Sequence, residues 1–321
     1  MRAVQYRRFG PPDVLEVVDI PGPPTRSVRS PSVRVAVAAC ALNPKDVLIR
    51  KGKMTWLTGR KMPRIPGYDF AGTLLDPVPE SDAHAALAAG TRVFGMVQHH
   101  SGGACAEVVS VPPDELAPLP TGPEGPLSFV EAASLPLAGL TALQGLRDEL
   151  AAQPGETVLL NGASGGVGTL AVQIARALGL RVVAVCSARN HDRVRALGAE
   201  RLIDYQTADP AAERGLDHVF DIYGTLPWPR ARPMLRAGGR FCTTIPRAAA
   251  VARGALHRVG LHRAGLVVVQ SRRADLEQLA SFVHTGALQP VVDRVLPLAD
   301  SIEAHTYLET RRARGKVVLT V

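Results

Sequence analysis

A glycine-rich turn between an apolar strand and a helix is the place where residue types and spacing most clearly indicate chemistry. The strand candidate at 157–160 runs into Asn-Gly-Ala-Ser-Gly-Gly-Val-Gly, and helical periodicity follows over 169–178. Glycine lets a backbone approach phosphate closely, and a helix amino end supplies N–H groups and partial positive charge. The turn therefore predicts a dinucleotide site; a merely tight turn is the alternative. The predicted contact residues are Ala163, Ser164, Gly165, Gly166, Val167 and Gly168.

The end of the next strand, predicted over 181–186, indicates which dinucleotide is bound. Ser187 and Arg189 follow it, and neither Asp nor Glu stands there. A carboxylate would bind the ribose 2′-hydroxyl and repel a 2′-phosphate, whereas a hydroxyl and a guanidinium favour the phosphate. We therefore predict NADPH as the cofactor, with Ser187 and Arg189 as phosphate ligands. The alternative for Arg189 is a surface position opening the next helix.

Two different patterns of predicted secondary structure along the chain indicate two domains. Short strand candidates separated by Pro and Gly fill residues 1 to about 120, which favours a β-barrel or sandwich. From about 125 apolar strands alternate with helices, which is typical of a doubly wound parallel sheet. We predict a β domain over 1–124 and 287–321 and a nucleotide domain over 125–286. Other predicted elements are helices at 140–150 and 275–285 and strands at 201–203, 218–221, 239–243, 266–269 and 316–320.

The composition is that of a globular protein, and the charge distribution disfavours a nucleic-acid-binding groove. The 321 residues are 46% hydrophobic and 21% charged, with a net charge of +8. The basic residues are scattered, densest at 247–263 and 311–316, without a run of five like charges. Solvated or phosphate-facing roles are therefore favoured over a nucleic-acid groove.

Cysteine spacing and the amino terminus indicate a reducing compartment. The four cysteines lie far apart without Cys-x-x-Cys spacing, which predicts neither disulfides nor a zinc knuckle. The amino terminus lacks the apolar stretch of a signal peptide, and no window of about 20 residues is uninterruptedly apolar. We expect a cytoplasmic protein with no membrane partner.

Four further segments resemble one known superfamily. They are Ala-Leu-Asn-Pro-Lys-Asp at 41–46, Ile-Pro-Gly-Tyr-Asp-Phe-Ala-Gly at 65–72, Ser-Leu-Pro-Leu-Ala-Gly-Leu-Thr-Ala at 134–142 and Gly-Lys-Val-Val at 315–318. With the glycine turn, they resemble the medium-chain dehydrogenase/reductase superfamily, and within it the zinc-free quinone oxidoreductase and enone (enoyl) reductase branch. The resemblance implies an α/β protein in which a partly open GroES-like β-barrel joins a Rossmann doubly wound parallel sheet. It also implies an active site in the cleft between them.

The resemblance also bears on metal chemistry. Zinc dehydrogenases of this superfamily carry a cysteine in the first segment and Gly-His-Glu in the second, where this chain has Asn43 and Gly-Tyr-Asp at 67–69. Asparagine and tyrosine cannot replace thiolate and imidazole as zinc ligands, and the structural-zinc lobe is missing. We therefore expect no metal. Hydride transfer to an enone or quinone, which is already polarised, is the more natural chemistry.

The residues expected to assist that transfer come from the same two segments. Asn43, Lys45 and Tyr68 are candidate donors to the developing enolate, and Asp46 is expected to orient the reacting group or the nicotinamide ribose. Each has a structural alternative: Asn43 in a turn before proline, Lys45 solvated, Asp46 as a helix cap, and Tyr68 in the barrel core.

The remaining expectations follow from the resemblance. Thr141 and Thr243 are expected on the nicotinamide side, and Tyr205 and Lys316 near the adenosine phosphate. The apolar strand at 266–269 is a candidate edge for a homodimer. The segment 247–266 departs from the family pattern, because it is short of acids and rich in Arg and His.

Three other functions stay open at this point. A carbonyl or alcohol oxidoreductase, or a tailoring reductase of secondary metabolism, would use the same cofactor on another acceptor. A nonenzymatic NADPH- and RNA-binding quinone-reductase-like protein is permitted by the charge. The low aromatic content, 4%, disfavours nucleic acid as a partner.

Overall fold

The protein is described by a computed structural model that covers residues 1–23, 32–81, 85–99, 102–258, 260 and 262–321. These residues form two compact units. The first contains Met1–Leu137, Gln270–Gly286 and Pro290–Val321, and the second contains Ala138–Val269 and Ala287–Gln289.

The strands and helices follow in chain order. The strands are β1 Arg2–Gln5, β2 Glu16–Asp19, β3 Val33–Leu42, β4 Asp69–Leu74, β5 Arg92–Met96, β6 Val108–Val111, β7 Leu116–Pro118, β8 Thr121–Gly122, β9 Gly125–Pro126, β10 Thr157–Asn161, β11 Arg181–Val185, β12 Arg201–Ile203, β13 Leu216–Asp221, β14 Leu235–Thr243, β15 Ala264–Leu266, β16 Val292–Pro297 and β17 Lys316–Thr320. The helices are α1 Pro44–Arg50, α2 Thr55–Thr58, α3 Phe129–Ala133, α4 Pro136–Gln144, α5 Gly166–Ala177, α6 His191–Ala196, α7 Trp228–Ala231, α8 Ala248–Arg258, α9 Arg273–His284 and α10 Ser301–Glu309. No helix in the described ranges is long and apolar enough to cross a bilayer.

A sheet ordered β16-β17-β3-β4-β5-β7, with β6 also on β3, organises the first unit. Alternate side chains of β3, at Val33, Val35 and Val37, are buried because successive residues of a strand face opposite sides. The last strand, β17, pairs antiparallel with β3, with Val317 opposite Leu42. The amino end of β17, at Lys316, therefore lies beside the start of α1.

The second unit is a parallel sheet ordered β12-β11-β10-β13-β14-β15. Each pair of neighbours is parallel, so all six strands end at the same edge. Asn161 is in register with Val185 on one side and with Asp221 on the other. Ligands of such sheets bind at the carboxyl edge, where the strand order reverses, which here is beside β10.

The two units divide the chain at other positions than those expected from the sequence. The first unit runs to Leu137 instead of residue 124, because α3 packs on β3 and β4. It also includes α9, which the sequence pattern predicts in the nucleotide domain. Helix α9 packs on β7 and β8 and buries Leu276, Leu279 and Val283. Helical periodicity shows that α9 has an apolar face but not which sheet that face covers.

Two predicted elements of the second unit also have different bounds. The helix expected at 140–150 ends at Gln144 and continues as a π-turn over Gly145–Glu149. Gly145 lies against a ring: a Cβ there would be 2.5 Å from Phe220 Cζ. The strand expected at 266–269 is β15, which ends at Leu266 and forms one edge of the sheet.

A buried histidine in the first unit predicts acid sensitivity. His305 is 0% exposed, and neither ring nitrogen has a partner within the described ranges. Burial, with the nearby Arg50 guanidinium, lowers its pKa to about 3. The unfolded chain takes up this proton near the ordinary pKa of about 6.5, so the contribution to stability is complete above that pH and is lost as pH falls toward 3.

We expect His305→Leu to make the free energy of unfolding less dependent on pH. Between pH 7 and 5 the variant should lose about 2 kcal/mol less stability than the parent, as measured by urea unfolding at both pH values. His284→Leu, which removes an exposed histidine, is the control and should keep the parent's pH dependence. Equal pH dependence in His305→Leu and the parent would count against this account.

Candidate functional site

The glycine turn has the strand–turn–helix geometry that the sequence predicts. Strand β10 ends at Asn161, and Gly162 follows with φ +96°, a left-handed conformation that favours glycine. Gly165 is the N-cap of α5, with extended φ and ψ of −86° and 179°. The stretch from Ser164 to Val167 is half-buried, between the buried Ala163 and Gly168.

Gly168 and Gly165 have different roles in this turn. A Cβ on Gly168 would lie 2.1 Å from Gly162 O and 2.6 Å from Ala163 C, so α5 packs against the turn at backbone distance. A Cβ on Gly165 would meet nothing closer than Gly162 O at 3.8 Å. The turn therefore has open space at Gly165, where backbone N–H groups of α5 begin, and this arrangement fits the pyrophosphate of a dinucleotide.

A pair of alanine substitutions separates these two roles. Gly168→Ala should lower the free energy of unfolding by about 1–3 kcal/mol, because helix and turn must move apart. Gly165→Ala should leave unfolding nearly unchanged and weaken dinucleotide binding only. Urea unfolding and titration with NADPH measure the two effects. Similar stability losses in both variants would contradict the assignment.

The edge beyond β11 carries the predicted phosphate ligands. Ser187 is buried, and its Oγ accepts a hydrogen bond from Asn190 Nδ2 at 3.1 Å. Arg189 lies on a short 3-10 turn and is exposed. Tyr205, after β12, is 57% exposed. The Ser187 hydroxyl, oriented by Asn190, and the exposed Arg189 guanidinium thus lie at the end of β11. The exposed Tyr205 ring follows the next strand, β12.

Polar side chains form hydrogen bonds with one another at the carboxyl edge of the parallel sheet, beside the end of β10. Asn161 Nδ2 donates to Asp221 Oδ1 at 2.7 Å and to Thr225 Oγ1 at 2.9 Å. Thr243 Oγ1 donates to Asp221 O at 2.9 Å. Asp221, which sequence reasoning missed, therefore connects three strand ends. Thr141 is buried on α4.

In the first unit, the predicted catalytic residues lie around the start of α1. Asn43 is 2% exposed, and its Nδ2 donates to Asp69 Oδ2 at 3.0 Å and to Ala41 O at 3.3 Å. Its Oδ1 accepts a hydrogen bond from Lys316 Nζ at 2.7 Å. Both ends of the Asn43 amide are therefore used inside the protein.

Asp46 caps the helix and holds the neighbouring loop. Its Oδ2 accepts the Asn43 N–H and its Oδ1 accepts the Gly67 N–H, both at 2.8 Å. Burial raises the pKa of Asp46 to about 6, although the two backbone donors act in the opposite direction. These contacts agree with the alternative reading of Asp46 as a helix-capping residue.

Lys45 and Tyr68 form a cation–π pair. The Lys45 ammonium lies 3.9 Å from the centroid of the Tyr68 ring. Burial lowers the pKa of Lys45, while Asp46 and Asp69 act in the opposite direction. Burial also raises the pKa of Tyr68, which is 1% exposed and so fills the barrel interior. Lys45 is only half-buried, unlike Asn43, Asp46 and Tyr68.

Lys316 requires a correction of the role implied by the resemblance. Its side chain is 4% exposed and belongs to the first unit, where Nζ donates to Asn43 Oδ1 and to Asp69 Oδ2, each at 2.7 Å. An ammonium group held in this way is not presented to an adenosine phosphate. Asp69, which was not singled out from the sequence, is the acid that holds it.

The basic segment at 247–263 makes contacts inside the second unit. His257 lies with Nδ1 2.8 Å from His262 O and Nε2 3.0 Å from Glu149 O. Residues 259 and 261 lie outside the described part of the chain. Within the described ranges, no group of three or more His, Cys, Asp or Glu is arranged to hold a metal ion.

Comparison with known proteins agrees with this geometry. Residues 29–121 match the alcohol dehydrogenase GroES-like domain, and residues 197–319 match the zinc-binding dehydrogenase family. The chain belongs to the medium-chain dehydrogenase/reductase superfamily, in the branch that contains quinone oxidoreductases and enoyl reductases. It is an oxidoreductase with a GroES-like domain and a Rossmann-like parallel sheet.

Three similar proteins illustrate this branch. The chain is 31% identical to the chloroplastic quinone-oxidoreductase homolog of Spinacia oleracea, over 99% of this chain and 98% of that protein. It is 32% identical to the chloroplastic NADPH-dependent alkenal/one oxidoreductase of Arabidopsis thaliana, over 99% and 79% respectively. The structure of the quinone oxidoreductase from Coxiella burnetii matches with a TM-score of 0.85 and 32% identity, over 100% and 99%.

Proposed function

We propose that the protein is a zinc-independent NADPH-dependent reductase of activated C=C bonds or quinones. The observation that carries this proposal is the combination of a glycine turn open at Gly165 with an exposed Arg189 at the end of the second strand. These residues fit a dinucleotide that bears a 2′-phosphate. Bound at this edge, NADPH would supply the hydride.

The roles of the cofactor residues follow from their positions. The α5 amino end and the turn from Ala163 to Gly168 would bind the pyrophosphate. Ser187 and Arg189 would bind the 2′-phosphate, and Tyr205 would cover the adenosine end. Thr141 and Thr243 would position the nicotinamide.

The donor set around α1 supports the absence of a zinc requirement. Asn43 and Tyr68 stand where zinc-dependent relatives carry thiolate and imidazole. The Asn43 amide is bonded to Asp69 and Lys316, and Tyr68 lies under the Lys45 ammonium. Two buried or half-buried cations therefore occupy the region in which a zinc ion would have to bind.

We assign the action on the reacting carbonyl to Lys45, because it is half-buried whereas the other three candidate catalytic residues are buried. An electron-poor acceptor develops negative charge on its oxygen when hydride reaches the β-carbon. The half-buried Lys45 ammonium would stabilise that charge, and its lowered pKa favours release of a proton to the enolate. Asp46 would orient the start of α1, while Asn43 and Tyr68 would hold the site's shape.

An assay of three acceptor classes tests the proposal. The purified protein should oxidise NADPH with an enone or a quinone and should be at least about tenfold slower with a simple ketone. Hydride addition to a ketone leaves the negative charge on one alkoxide oxygen, which a metal would stabilise, whereas an enone or quinone delocalises it. EDTA should not change the rate. Preference for the ketone would favour a carbonyl or alcohol oxidoreductase. RNA binding without NADPH oxidation would favour the nonenzymatic alternative.

A further inference from the structure

The Asp69 carboxylate is a fully buried charge of the first unit that accepts hydrogen bonds from three different elements. It is 0% exposed, and it accepts hydrogen bonds from Asn43 Nδ2 at 3.0 Å, Lys316 Nζ at 2.7 Å and Leu137 N at 2.6 Å. Leu137 lies in the first turn of α4, the helix that carries Thr141. A single carboxylate thus connects the starts of two helices with the last strand of the chain.

Lys316 completes this arrangement from β17. Its ammonium donates to both Asn43 Oδ1 and Asp69 Oδ2, so the Asn43 amide is fixed in orientation at both ends. Asn43 is the N-cap of α1, and Lys45 is the second residue of that helix. The position of Lys45 therefore depends on a contact that spans 273 residues of sequence.

We propose that Asp69 and Lys316 are positioning residues for the reductase reaction: their buried ion pair fixes the start of α1 and balances the charge that faces Lys45. This inference rests on the proposed function, in which Lys45 acts on the substrate. Neither residue touches substrate or cofactor in this account. Lys316 acts through Asn43, and Asp69 acts both through Asn43 and through its own charge.

The charges around Lys45 show how the pair would act. Asp46 faces Lys45 from α1 itself, and Asp69 faces it from β4; both favour its protonated form. Tyr68 supplies a ring face from the residue before β4. Lys316 neutralises Asp69, so removing Lys316 alone leaves an unbalanced carboxylate near Lys45, and removing Asp69 alone leaves an unbalanced ammonium.

Stability alone does not account for a pair of this kind. Replacing a buried ion pair by apolar residues of similar volume is often neutral or stabilising, whereas removing one partner is costly. The pair has a distinctive consequence for the charge state of Lys45. The two single charge deletions should shift the pKa of Lys45 in opposite directions. If each deletion only loosened the start of α1, Lys45 would become more exposed and its pKa would rise in both variants.

Lysine NMR can measure this directly, because the chain has five lysines, Lys45, Lys51, Lys53, Lys61 and Lys316. In ¹³C-lysine-labelled protein, Lys316→Gln should raise the pKa of Lys45 by at least about half a unit, and Asp69→Asn should lower it by a similar amount. The control is Arg34→Gln, which removes a cation of the Arg34–Asp76 pair in the same unit and should leave Lys45 unchanged.

The double variant Asp69→Asn/Lys316→Gln removes both charges and should return the pKa of Lys45 to within about 0.3 units of the parent. If a single variant fails to fold, this double variant decides: a Lys45 shift above about half a unit would overturn the proposal. Shifts of the same sign in the two single variants, or none, would also overturn it.

Kinetics provide the second measurement. Lys316→Gln should lower kcat about tenfold while the KM for NADPH changes less than about twofold. A KM increase for NADPH but not for NADH would instead assign Lys316 to the phosphate and overturn the proposal. If the parent protein reduces no acceptor, the proposed function fails, and the NMR shifts still decide whether the pair sets the charge at Lys45.

Discussion

Arg189→Ala is expected to raise the KM for NADPH about 10- to 100-fold and to leave the KM for NADH within about twofold. A hydrogen bond to a charged group contributes about 1.5–3 kcal/mol, and only NADPH offers a phosphate to this guanidinium. Arg189 is exposed at the end of the second strand, beside the oriented hydroxyl of Ser187. Steady-state kinetics with each nucleotide measure the effect.

A matched substitution nearby controls for the loss of general positive charge. Arg195→Ala removes a guanidinium that is 63% exposed on α6, the helix that follows the Arg189 turn. This variant should change the KM for NADPH less than about twofold, since surface charges act weakly at a distance in salt. Equal increases for NADPH and NADH in Arg189→Ala would refute the phosphate assignment.

Lys45→Gln is expected to lower kcat about 100- to 1,000-fold, because it removes both the charge and the proton offered to the enolate. In the parent, kcat should fall as pH rises through the pKa of Lys45, since the acid form is the active one. Burial lowers that pKa, which moves the decline toward neutral pH. The variant should lack this decline in a pH–rate profile.

Lys45→Arg and Lys53→Gln distinguish the proton from the charge. Lys45→Arg keeps a cation over the Tyr68 ring but cannot readily release a proton, so it should recover only part of the rate. Lys53→Gln removes an exposed lysine that lies ten residues beyond the N-cap of α1 and outside the helix, and it should retain the parent rate. An unchanged kcat in Lys45→Gln would exclude Lys45 as the group that acts on the substrate.

The parallel sheet and the glycine turn were predictable because both depend on local patterns. Runs of apolar residues predicted the strands of the parallel sheet, and the spacing of the glycines predicted the turn between β10 and α5. The close approach at Gly168 follows from the same pattern, since its Cβ would meet backbone atoms within seven residues of sequence.

The contacts around α1 could not be predicted in the same way. Asn43 and Lys316 are 273 residues apart, and only the antiparallel pairing of β17 with β3 brings them together. The resemblance implied a phosphate role for Lys316, because the motif shows a lysine but not which acid will neutralise it. The packing of α9 on β7 and β8 is another contact that helical periodicity does not specify.

Calorimetric titration of the unmodified protein with NADPH and NADH tests the central claim most directly. One NADPH should bind per chain and NADH should bind at least about tenfold more weakly, since only NADPH engages Arg189 and Ser187 through a third phosphate. Equal affinity for the two nucleotides, or heat from neither, would contradict it.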